Sequence, residues 1–316
     1  MRIGYFADGP WAHEALYKII EQGHEVCFIT PRYETKDAVL KRIANEHGIP
    51  WIVERNVNSR EFIHLVKNFR CDILVSMSFN QIIKGDLLNA SRLGFINCHA
   101  GALPYYRGRN PINWALINGE KKIGVTVHYI DEGIDTGDII TQDFIDIFPD
   151  DDYGTLLQKG FLQCAKSLCA SLSSLESGSF YLKRQDSIHH SGFYCTKRVP
   201  GDEFIDWSES SEDIHNFIRA ITKPAPGARS KSLRHDILIY KSRVPTDACI
   251  YKGVPGEVVG VTEEAWVVKT GTSVLEVFKE HVERFDKQDD NVRLRIGDRI
   301  GLTYGDLVNA VLGNNQ

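Results

Sequence analysis

The chain has 316 residues, enough for two domains and long for a single one. Hydrophobic residues make up 42% and charged residues 25% of the chain, a globular composition that excludes disordered, collagen-like and disulfide-rich miniprotein classes. Lysine and arginine number 37 against 42 aspartate and glutamate, which gives a net charge of −5. This charge balance provides no electrostatic reason to expect nucleic-acid binding.

The apolar residues and the cysteines bear on localisation. No run of about 18 apolar residues is present, so the sequence predicts no membrane span. The opening MRIGYFADG forms a strand-like run without the apolar stretch of a signal peptide, and we therefore expect a cytoplasmic protein. The seven cysteines are odd in number and lack a Cys-x-x-Cys pair. We expect reduced thiols, with neither a disulfide framework nor a structural zinc site.

The first 150 residues alternate strand and helix patterns. Predicted helices start at Pro10, Lys36 and Ser59, and a longer amphipathic helix covers Tyr153 to about Leu175. The predicted strands are Arg2–Phe6, His24–Thr30, Pro50–Glu54, Cys71–Ser76, Gly94–Cys98, Ile123–Ile130 and Asp138–Ile147. Strands that alternate with helices favour right-handed βαβ units. We predict an α/β fold, a Rossmann-like and mostly parallel sheet with helices on both faces.

The pattern changes from about residue 201. One helix is predicted to begin at Ser210 and to stop before Pro224. Short strand patterns separated by turns then follow at Asp236–Val244, Gly256–Val261, Ala265–Lys269 and Val274–Phe278. Such a series without helices predicts a small antiparallel barrel. We therefore divide the chain into a catalytic domain over 1–200, with a connector from about 178, and a second domain over 201–316.

The first turn between strand and helix argues against a dinucleotide cofactor. It reads from Gly4 to Gly9 without the Gly-x-Gly-x-x-Gly pattern that lets backbone approach a pyrophosphate. We therefore expect the doubly wound sheet to serve another ligand than NAD.

Two polar residues end the predicted strand Gly94–Cys98. Asn97 and His99 are two residues apart, so the alternation of a strand places both side chains on one side. Carboxyl ends of strands in open α/β sheets are where ligands bind. A histidine there can move protons near pH 7, and a carboxamide can donate to a developing oxyanion. The alternative is structural, with Asn97 capping a turn and His99 packed and hydrogen-bonded.

A second polar cluster follows the strand Ile123–Ile130. The loop Asp131–Gly137 contains three acidic residues and glycines at 133 and 137, which shape a tight loop and bring carboxylates together. A plain polar hairpin turn is the alternative interpretation. The remaining histidines, including His189 and His190, are expected to be structural or exposed.

Together these blocks resemble a known family. Asn97-x-His99, the Leu-Pro-x-Tyr-Arg-Gly run over Leu103–Gly108 and the Asp131–Gly137 loop are similar to formyltransferases that use 10-formyltetrahydrofolate. Ile205–Trp207 and Phe217–Ala220 resemble the C-terminal domain shared by methionyl-tRNA and amino-sugar formyltransferases. The resemblance implies a Rossmann-like catalytic domain followed by a small barrel of the OB type.

The resemblance also implies roles for individual residues. Asn97, His99 and Asp135 correspond to the catalytic residues, and 10-formyltetrahydrofolate is the implied co-substrate, with no metal. The implied folate-binding residues are Gln81, Ile82, Ile83, Arg109, Asp131, Glu132, Gly133 and Ile134. One departure concerns the family's usual Ser-Leu-Leu-Pro, which here reads Gly-Ala-Leu-Pro over 101–104. Any contact of that serine hydroxyl is therefore not carried over.

The acceptor is the least determined part of the function. The tRNA-acting relatives share a long basic insertion after the second strand, whereas residues 30–37 here are short and mixed in charge. The segment 106–114 is closer to enzymes that act on nucleotide-linked 4-amino sugars. The expected substrate contacts are Arg107, Gly108, Asn113 and Trp114. Arg107 and Arg109 are suited to pair with a diphosphate, and the alternative is that they make folate and loop contacts only.

We therefore expect formyl transfer to a dTDP-, UDP- or GDP-linked 4-amino-deoxy sugar, a precursor of surface polysaccharide or lipopolysaccharide. Methionyl-tRNA is the alternative acceptor, and a non-catalytic folate- or nucleotide-binding module is a third hypothesis. The sequence leaves a monomer and a homodimer open.

Overall fold

The protein is described from a computed structural model, which covers residues 1–232, 236–285, 292–302, 305 and 308. The remaining parts of the predicted domain 201–316 lie outside the described residues. The chain forms two compact units. The first contains Met1–Pro111, Lys121–Ile147 and Leu157–Lys197, and the second contains Ile112–Glu120, Phe148–Leu156 and the chain from Arg198. These units interleave along the chain, whereas the predicted division at residue 200 is linear.

The elements alternate as the sequence pattern predicts. The helices are α1 Pro10–Glu21, α2 Ala38–Glu46, α3 Arg60–Asn68, α4 Pro111–Ile117, α5 Tyr153–Ser177 and α6 Ser211–Ala220. The strands of the first unit are β1 Arg2–Ala7, β2 Glu25–Thr30, β3 Ile73–Met77, β4 Phe95–His99, β5 Arg107–Gly108, β6 Lys122–Tyr129, β7 Ile139–Asp146 and β8 Tyr194–Cys195. Those of the second are β9 Ala228–Lys231, β10 Asp236–Ile239, β11 Ser242–Arg243, β12 Val258–Val261, β13 Ala265–Lys269, β14 Val274–Phe278 and β15 Val282–Arg284.

The first unit is built on a six-stranded sheet in the order β2-β1-β3-β4-β6-β7. The first four strands are parallel, and β6 and β7 are each antiparallel to the strand before them in that order. The prediction of a strand over Pro50–Glu54 is wrong. Within this range only Trp51 forms a bridge, to Ile29 of β2. Pro50 has no N–H with which to extend that pairing. The Rossmann-like, mostly parallel sheet is otherwise confirmed.

Helices cover both faces of this sheet. Along β1, alternation sends Ile3 and Tyr5 into a core shared with α1, α2 and α5, while Phe6 enters a second core with α3. Gly4 has no room for a side chain, because a Cβ at this position would come within 2.7 Å of the Phe28 ring. The buried aliphatic strands explain why this part of the fold follows from the sequence.

The second unit contains α6, nearly all of α4 and a set of antiparallel strands. Helix α6 begins after Ser210, whose hydroxyl accepts a hydrogen bond from the backbone N–H of Asp213. The strands form the sheets β15-β10-β9 and β11-β14-β13-β12. Bridges from Gly301 to Lys231 and from Arg299 to Glu257 link one short segment to both sheets. The predicted run Asp236–Val244 is therefore split, because β10 and β11 belong to different sheets.

None of the helices in the described ranges combines the length and apolar character that crossing a bilayer requires.

Candidate active site

Strand β4 brings Asn97 and His99 to the carboxyl-terminal edge of the parallel strands. Asn97 pairs with Ser76 of β3 in parallel and with His128 of β6 in antiparallel register, whereas His99 pairs with Thr126 of β6. The His99 side chain is buried, and Asn97 is half-buried. Since the two residues are separated by one position, their side chains share a side of the strand, as the sequence predicts.

The loop Asp131–Gly137 carries Asp135 to these two residues. One Asp135 oxygen, Oδ2, lies 3.6 Å from Nδ1 of His99 and accepts a 2.9 Å hydrogen bond from the Gly108 amide. The other, Oδ1, lies 3.5 Å from Nδ2 of Asn97. Asp135 has a φ of 55°, a left-handed conformation that aspartate tolerates better than most residues. The structure thus brings together the three residues that the sequence analysis placed at the reaction centre.

A fourth side chain, His128, joins them and was missed from sequence. Its Nε2 lies 3.2 Å from Nδ2 of Asn97 and 3.5 Å from Oδ1 of Asp135. Its Nδ1 donates to the Tyr129 carbonyl at 2.8 Å, so Nε2 of the neutral ring is an acceptor for the Asn97 amide. His128 is among the histidines expected from sequence to be structural or exposed; it is buried, and a part in the site remains a prediction. Its antiparallel pairing with Asn97 was the available signal.

The electrostatics of Asp135 favour the carboxylate. Burial by itself would raise the pKa of Asp135, but the His99 and His128 rings and the Gly108 amide together hold that pKa well below its usual range. Asp135 therefore stays ionised at neutral pH. A negative charge fixed beside an imidazole stabilises the protonated form of that ring, which suits a group that accepts a proton during a reaction.

The hydrogen bonds of His99 fix which of its nitrogens carries hydrogen. Nε2 lies 2.7 Å from the carbonyl oxygen of Tyr106, and a carbonyl can only accept. Nε2 therefore carries a hydrogen, and Nδ1 is the nitrogen on the side of Asp135. The site thus offers an imidazole beside a carboxylate that stabilises its protonated form, and an amide donor on Asn97.

Gln185, in the connector after α5, holds the Asp135 loop in place. Its Nε2 donates to the carbonyls of Asp135 and Gly137 at 2.9 and 2.8 Å. Its Oε1 accepts from Nε and Nη2 of Arg107 at 3.0 and 2.6 Å. The side chain is buried and lies 50 residues from Asp135 along the chain, so no local pattern pointed to it.

The structure corrects two of the expected substrate contacts. The Arg107 guanidinium is buried, hydrogen-bonded to Gln185 and to the Ser191 carbonyl at 3.2 Å, and it therefore shapes the loop instead of presenting its donors to a diphosphate. Asn113 belongs to the second unit, where its buried amide donates to the Ala220 carbonyl at 2.6 Å. Half-buried Trp114 lies beside it in the same helix, α4.

Gly108 has a conformational and steric reason to be glycine. Its φ is 90°, in the left-handed half of conformational space, and a Cβ would lie 2.5 Å from the Cys195 carbonyl. Its amide binds Asp135, so its part in the site is through the backbone. A substrate contact of Gly108 remains a prediction.

The expected folate-binding residues lie in three segments. The Gln81 amide is hydrogen-bonded to the backbone of Val57 and Glu54, while Ile83 is buried in the core shared with α3. Asp131 accepts from Gly133 N at 3.0 Å and from the Thr136 hydroxyl at 2.5 Å, and thereby closes its own loop. The exposed members of the set are Ile82, Arg109, Asp131, Glu132, Gly133 and Ile134. A role in folate binding remains a prediction for all of them.

Among the described residues, no group of three or more histidine, cysteine, aspartate and glutamate side chains is placed to hold a metal ion.

The fold and this site define an α/β enzyme equipped for acyl transfer to an amine. Residues 1–170 match the formyl transferase family, and residues 198–289 match the formyl transferase C-terminal domain. The chain belongs to the formyltransferase family, which confirms the resemblance seen in the motifs. A methionyl-tRNA formyltransferase of Geobacter metallireducens is 33% identical over 314 residues, covering 95% of this chain and 99% of that protein.

Other relatives carry different names. The bifunctional polymyxin resistance protein ArnA of Wigglesworthia glossinidia brevipalpis is 35% identical over 219 residues, 69% of this chain and 33% of that protein. The fold resembles the Helicobacter canadensis N-formyltransferase in complex with folinic acid and dTDP-3-aminofucose, with TM-score 0.65 and 20% identity over 88% of this chain and 98% of that one. The fold also resembles WlaRD, a sugar 3N-formyl transferase solved with dTDP and 5-N-formyl-THF. The TM-score is 0.63 and the identity is 21%, covering 91% of this chain and 98% of that one.

Proposed function

We propose that this formyltransferase moves the formyl group of 10-formyltetrahydrofolate to the amino group of a nucleotide-linked 4-amino sugar. The observation that carries the choice of acceptor is the segment after β2, residues 31–37. It is short and contains two basic and two acidic residues. The acceptor of a tRNA enzyme is instead a polyanion with many phosphates.

The contacts of this segment leave no basic arm for RNA. Arg32 donates to the carbonyl and hydroxyl of Ser78 at 2.8 and 2.9 Å and lies 3.8 Å from Asp8. Asp37 caps α2 through the amides at the start of that helix. Lys36 lies over the ring of Tyr33, 5.5 Å from its centroid. The segment therefore suits a compact acceptor better than a charged RNA stem.

The chemistry follows from the hydrogen bonds around His99. The neutral amine of the acceptor attacks the formyl carbon, and its proton passes to the His99–Asp135 pair as the C–N bond forms. The formyl oxygen becomes an oxyanion that accepts a hydrogen bond from the Asn97 amide. Asp135 stabilises the imidazolium. Collapse of the tetrahedral intermediate breaks the bond to N10 of the folate, which leaves with the proton returned by His99.

The acceptor's nucleotide is assigned to the rim formed by β5 and β8. These strands pair through Gly108 and Cys195, and the Gly108 amide donates to Asp135. Tyr194 precedes Cys195 and therefore lies near the Asp135 loop. Phe193 packs against the rings of Tyr105 and Tyr106, and the Arg107 guanidinium lies 5.4 Å from the Tyr194 ring centroid. Tyr194 is nevertheless 52% exposed, and we assign its exposed part to stacking on the base. Arg109 is exposed, and we assign it to the diphosphate in place of the folate contact, a role that was expected of Arg107 and Arg109 together.

A panel of acceptors tests the proposal. The purified chain is assayed with 10-formyltetrahydrofolate and dTDP-, UDP- and GDP-linked sugars that carry the amine at C4 or at C3, beside methionyl-tRNA. We expect turnover of at least one 4-amino sugar, weakly dependent on salt, and negligible formylation of methionyl-tRNA. Turnover confined to 3-amino sugars would refute the 4-amino assignment.

Variants on the rim separate acceptor binding from chemistry. Tyr194→Ala should raise the KM for the nucleotide sugar about tenfold, since stacking on one base contributes about 1–3 kcal/mol. The KM for the folate should stay unchanged. Tyr181→Ala is the matched control, because Tyr181 is 83% exposed in the same connector. Equal effects of the two variants would remove Tyr194 from the acceptor site.

Methionyl-tRNA is the second candidate acceptor, and the 33% identity to a methionyl-tRNA formyltransferase over nearly the whole chain favours it. RNA binding would give a log–log salt dependence of about one unit per phosphate contact. Efficient, steeply salt-sensitive transfer to methionyl-tRNA would therefore replace the amino-sugar proposal.

A further inference from the structure

Asn58 binds the backbone of the segment 81–84 on both sides of Ile83. Its Nδ2 donates to the Ile82 carbonyl and its Oδ1 accepts from the Lys84 amide, each at 2.8 Å. Neither this segment nor residues 54–58 form helix or strand, so a side-chain amide supplies the two hydrogen bonds that a neighbouring strand would otherwise provide. The position of the Ile82 backbone therefore depends on a residue that lies 24 positions away in the chain.

Gln81 makes the matching contact in the opposite direction. Its Oε1 accepts from the Val57 amide at 3.1 Å, and its Nε2 donates to the Glu54 carbonyl at 3.2 Å. Val57 and Ile83 are both buried in the core shared with α3. Two apolar side chains and two side-chain amides thus hold the two segments together, and the Gln81 amide is engaged with the protein's own backbone.

These contacts single out Ile82 among the three residues expected to bind folate in this segment. Gln81 is half-buried with its amide in use, and Ile83 is buried. Ile82, in contrast, is 54% exposed. An apolar side chain on a backbone that is already fixed offers a contact surface at low entropic cost, because the ligand does not have to order that backbone on binding.

We propose that Asn58 is a positioning residue that holds Ile82 in place for the folate. This inference rests on the proposed use of 10-formyltetrahydrofolate and on the expected role of Ile82, and it is independent of which amine is the acceptor. Asn58 itself does not touch the folate. Its loss would free the Ile82 carbonyl and the Lys84 amide, and the ligand would then have to order the segment that Asn58 orders in the wild type.

Direct binding of 5-formyltetrahydrofolate to the full chain, measured by calorimetry, tests this role without any acceptor. Asn58→Ala should raise the Kd about 5- to 10-fold, since two hydrogen bonds that are partly open to solvent lie at the lower end of the usual strength. The kcat at saturating 10-formyltetrahydrofolate should change less than about twofold, because the bound folate still meets an intact reaction centre. Asn89→Ala, at an exposed asparagine outside both segments, is the matched control and should leave the Kd unchanged.

A double-mutant cycle shows whether Asn58 acts through Ile82. Ile82→Ala should itself raise the Kd about 5- to 20-fold, since it removes part of an apolar contact surface. Adding Asn58→Ala to this variant should raise the Kd by less than about a further twofold, because the side chain that Asn58 positions is then absent.

Three results would overturn the inference: an Asn58→Ala protein with the wild-type Kd, whatever its melting temperature, a fully additive double variant, or an Ile82→Ala protein with the wild-type Kd. If Asn58→Ala fails to fold, Asn58→Asp replaces it, since this variant keeps an acceptor for the Lys84 amide and loses only the donor to Ile82. The wild-type Kd in that variant would overturn the inference equally. A wild-type chain that binds no 5-formyltetrahydrofolate would instead refute the proposed use of the folate.

Discussion

Replacing Gln185 by alanine removes the clamp that joins the connector to the Asp135 loop. Four hydrogen bonds end at this one buried amide, two to the backbone carbonyls of Asp135 and Gly137 and two from the Arg107 guanidinium. Alanine would leave two carbonyl oxygens and two guanidinium N–H groups without these partners. The loop that positions the Asp135 carboxylate would thereby lose its attachment to the connector.

The size of the effect follows from those groups. A hydrogen bond to a charged group contributes about 1.5–3 kcal/mol, and a buried acceptor left unpaired costs about 1–3 kcal/mol. These terms overlap, so we expect Gln185→Ala to lower the free energy of unfolding by about 3–5 kcal/mol, the range for breaking a buried charged contact. We also expect kcat to fall at least about tenfold, because a misplaced Asp135 no longer faces His99.

Urea unfolding and steady-state kinetics measure both quantities. Gln22→Ala serves as the control, since this exposed glutamine follows α1 and its replacement should change the free energy of unfolding by about 0.5 kcal/mol or less. A Gln185→Ala protein that is destabilised no more than this control, and that keeps the wild-type kcat, would refute the claim that Gln185 holds the Asp135 loop in place.

Three further predictions concern the residues around Asp135. His99→Asn should lower kcat by about 10²–10⁴-fold with little change in melting temperature, and its combination with Asp135→Asn should be far from additive, because the two side chains act together. Since the pKa of Asp135 is lowered in the folded protein, its contribution to stability is present above the ordinary aspartate value of about 3.9 and is lost as the pH falls below it. Unfolding measured from neutral to acidic pH should therefore vary less steeply in Asp135→Asn, and equal slopes would contradict this charge state. His128→Leu should lower kcat about tenfold by releasing the Asn97 amide, with His128→Gln partly restoring it through a new acceptor; equal activities of the two variants would exclude the contact.

Sequence reasoning succeeded where the determinants are local. The alternation of β4 placed Asn97 and His99 on one side, and the glycine-rich pattern after β6 marked the Asp135 loop. The parallel half of the sheet followed from continuous apolar strands alternating with helices. Each of these signals lies within a few residues of the feature that it predicts.

The remainder depends on pairings between distant segments. His128 joins the site because β6 runs antiparallel to β4, a register that neither strand encodes alone. Arg107 was expected to face a diphosphate, but Gln185, remote in sequence, takes its donors. Pro50–Glu54 has the composition of a strand, yet it pairs with β2 through one bridge only, between Trp51 and Ile29.

A competition assay tests the proposed function most directly. One limiting portion of 10-formyltetrahydrofolate is offered to the enzyme together with a nucleotide-linked 4-amino sugar and methionyl-tRNA, and the formylated products are quantified by mass spectrometry. We predict that the formyl group is found on the sugar amine, and that His99→Asn transfers it to neither acceptor at a comparable rate. Formyl groups found on methionyl-tRNA, with the sugar unmodified, would contradict it.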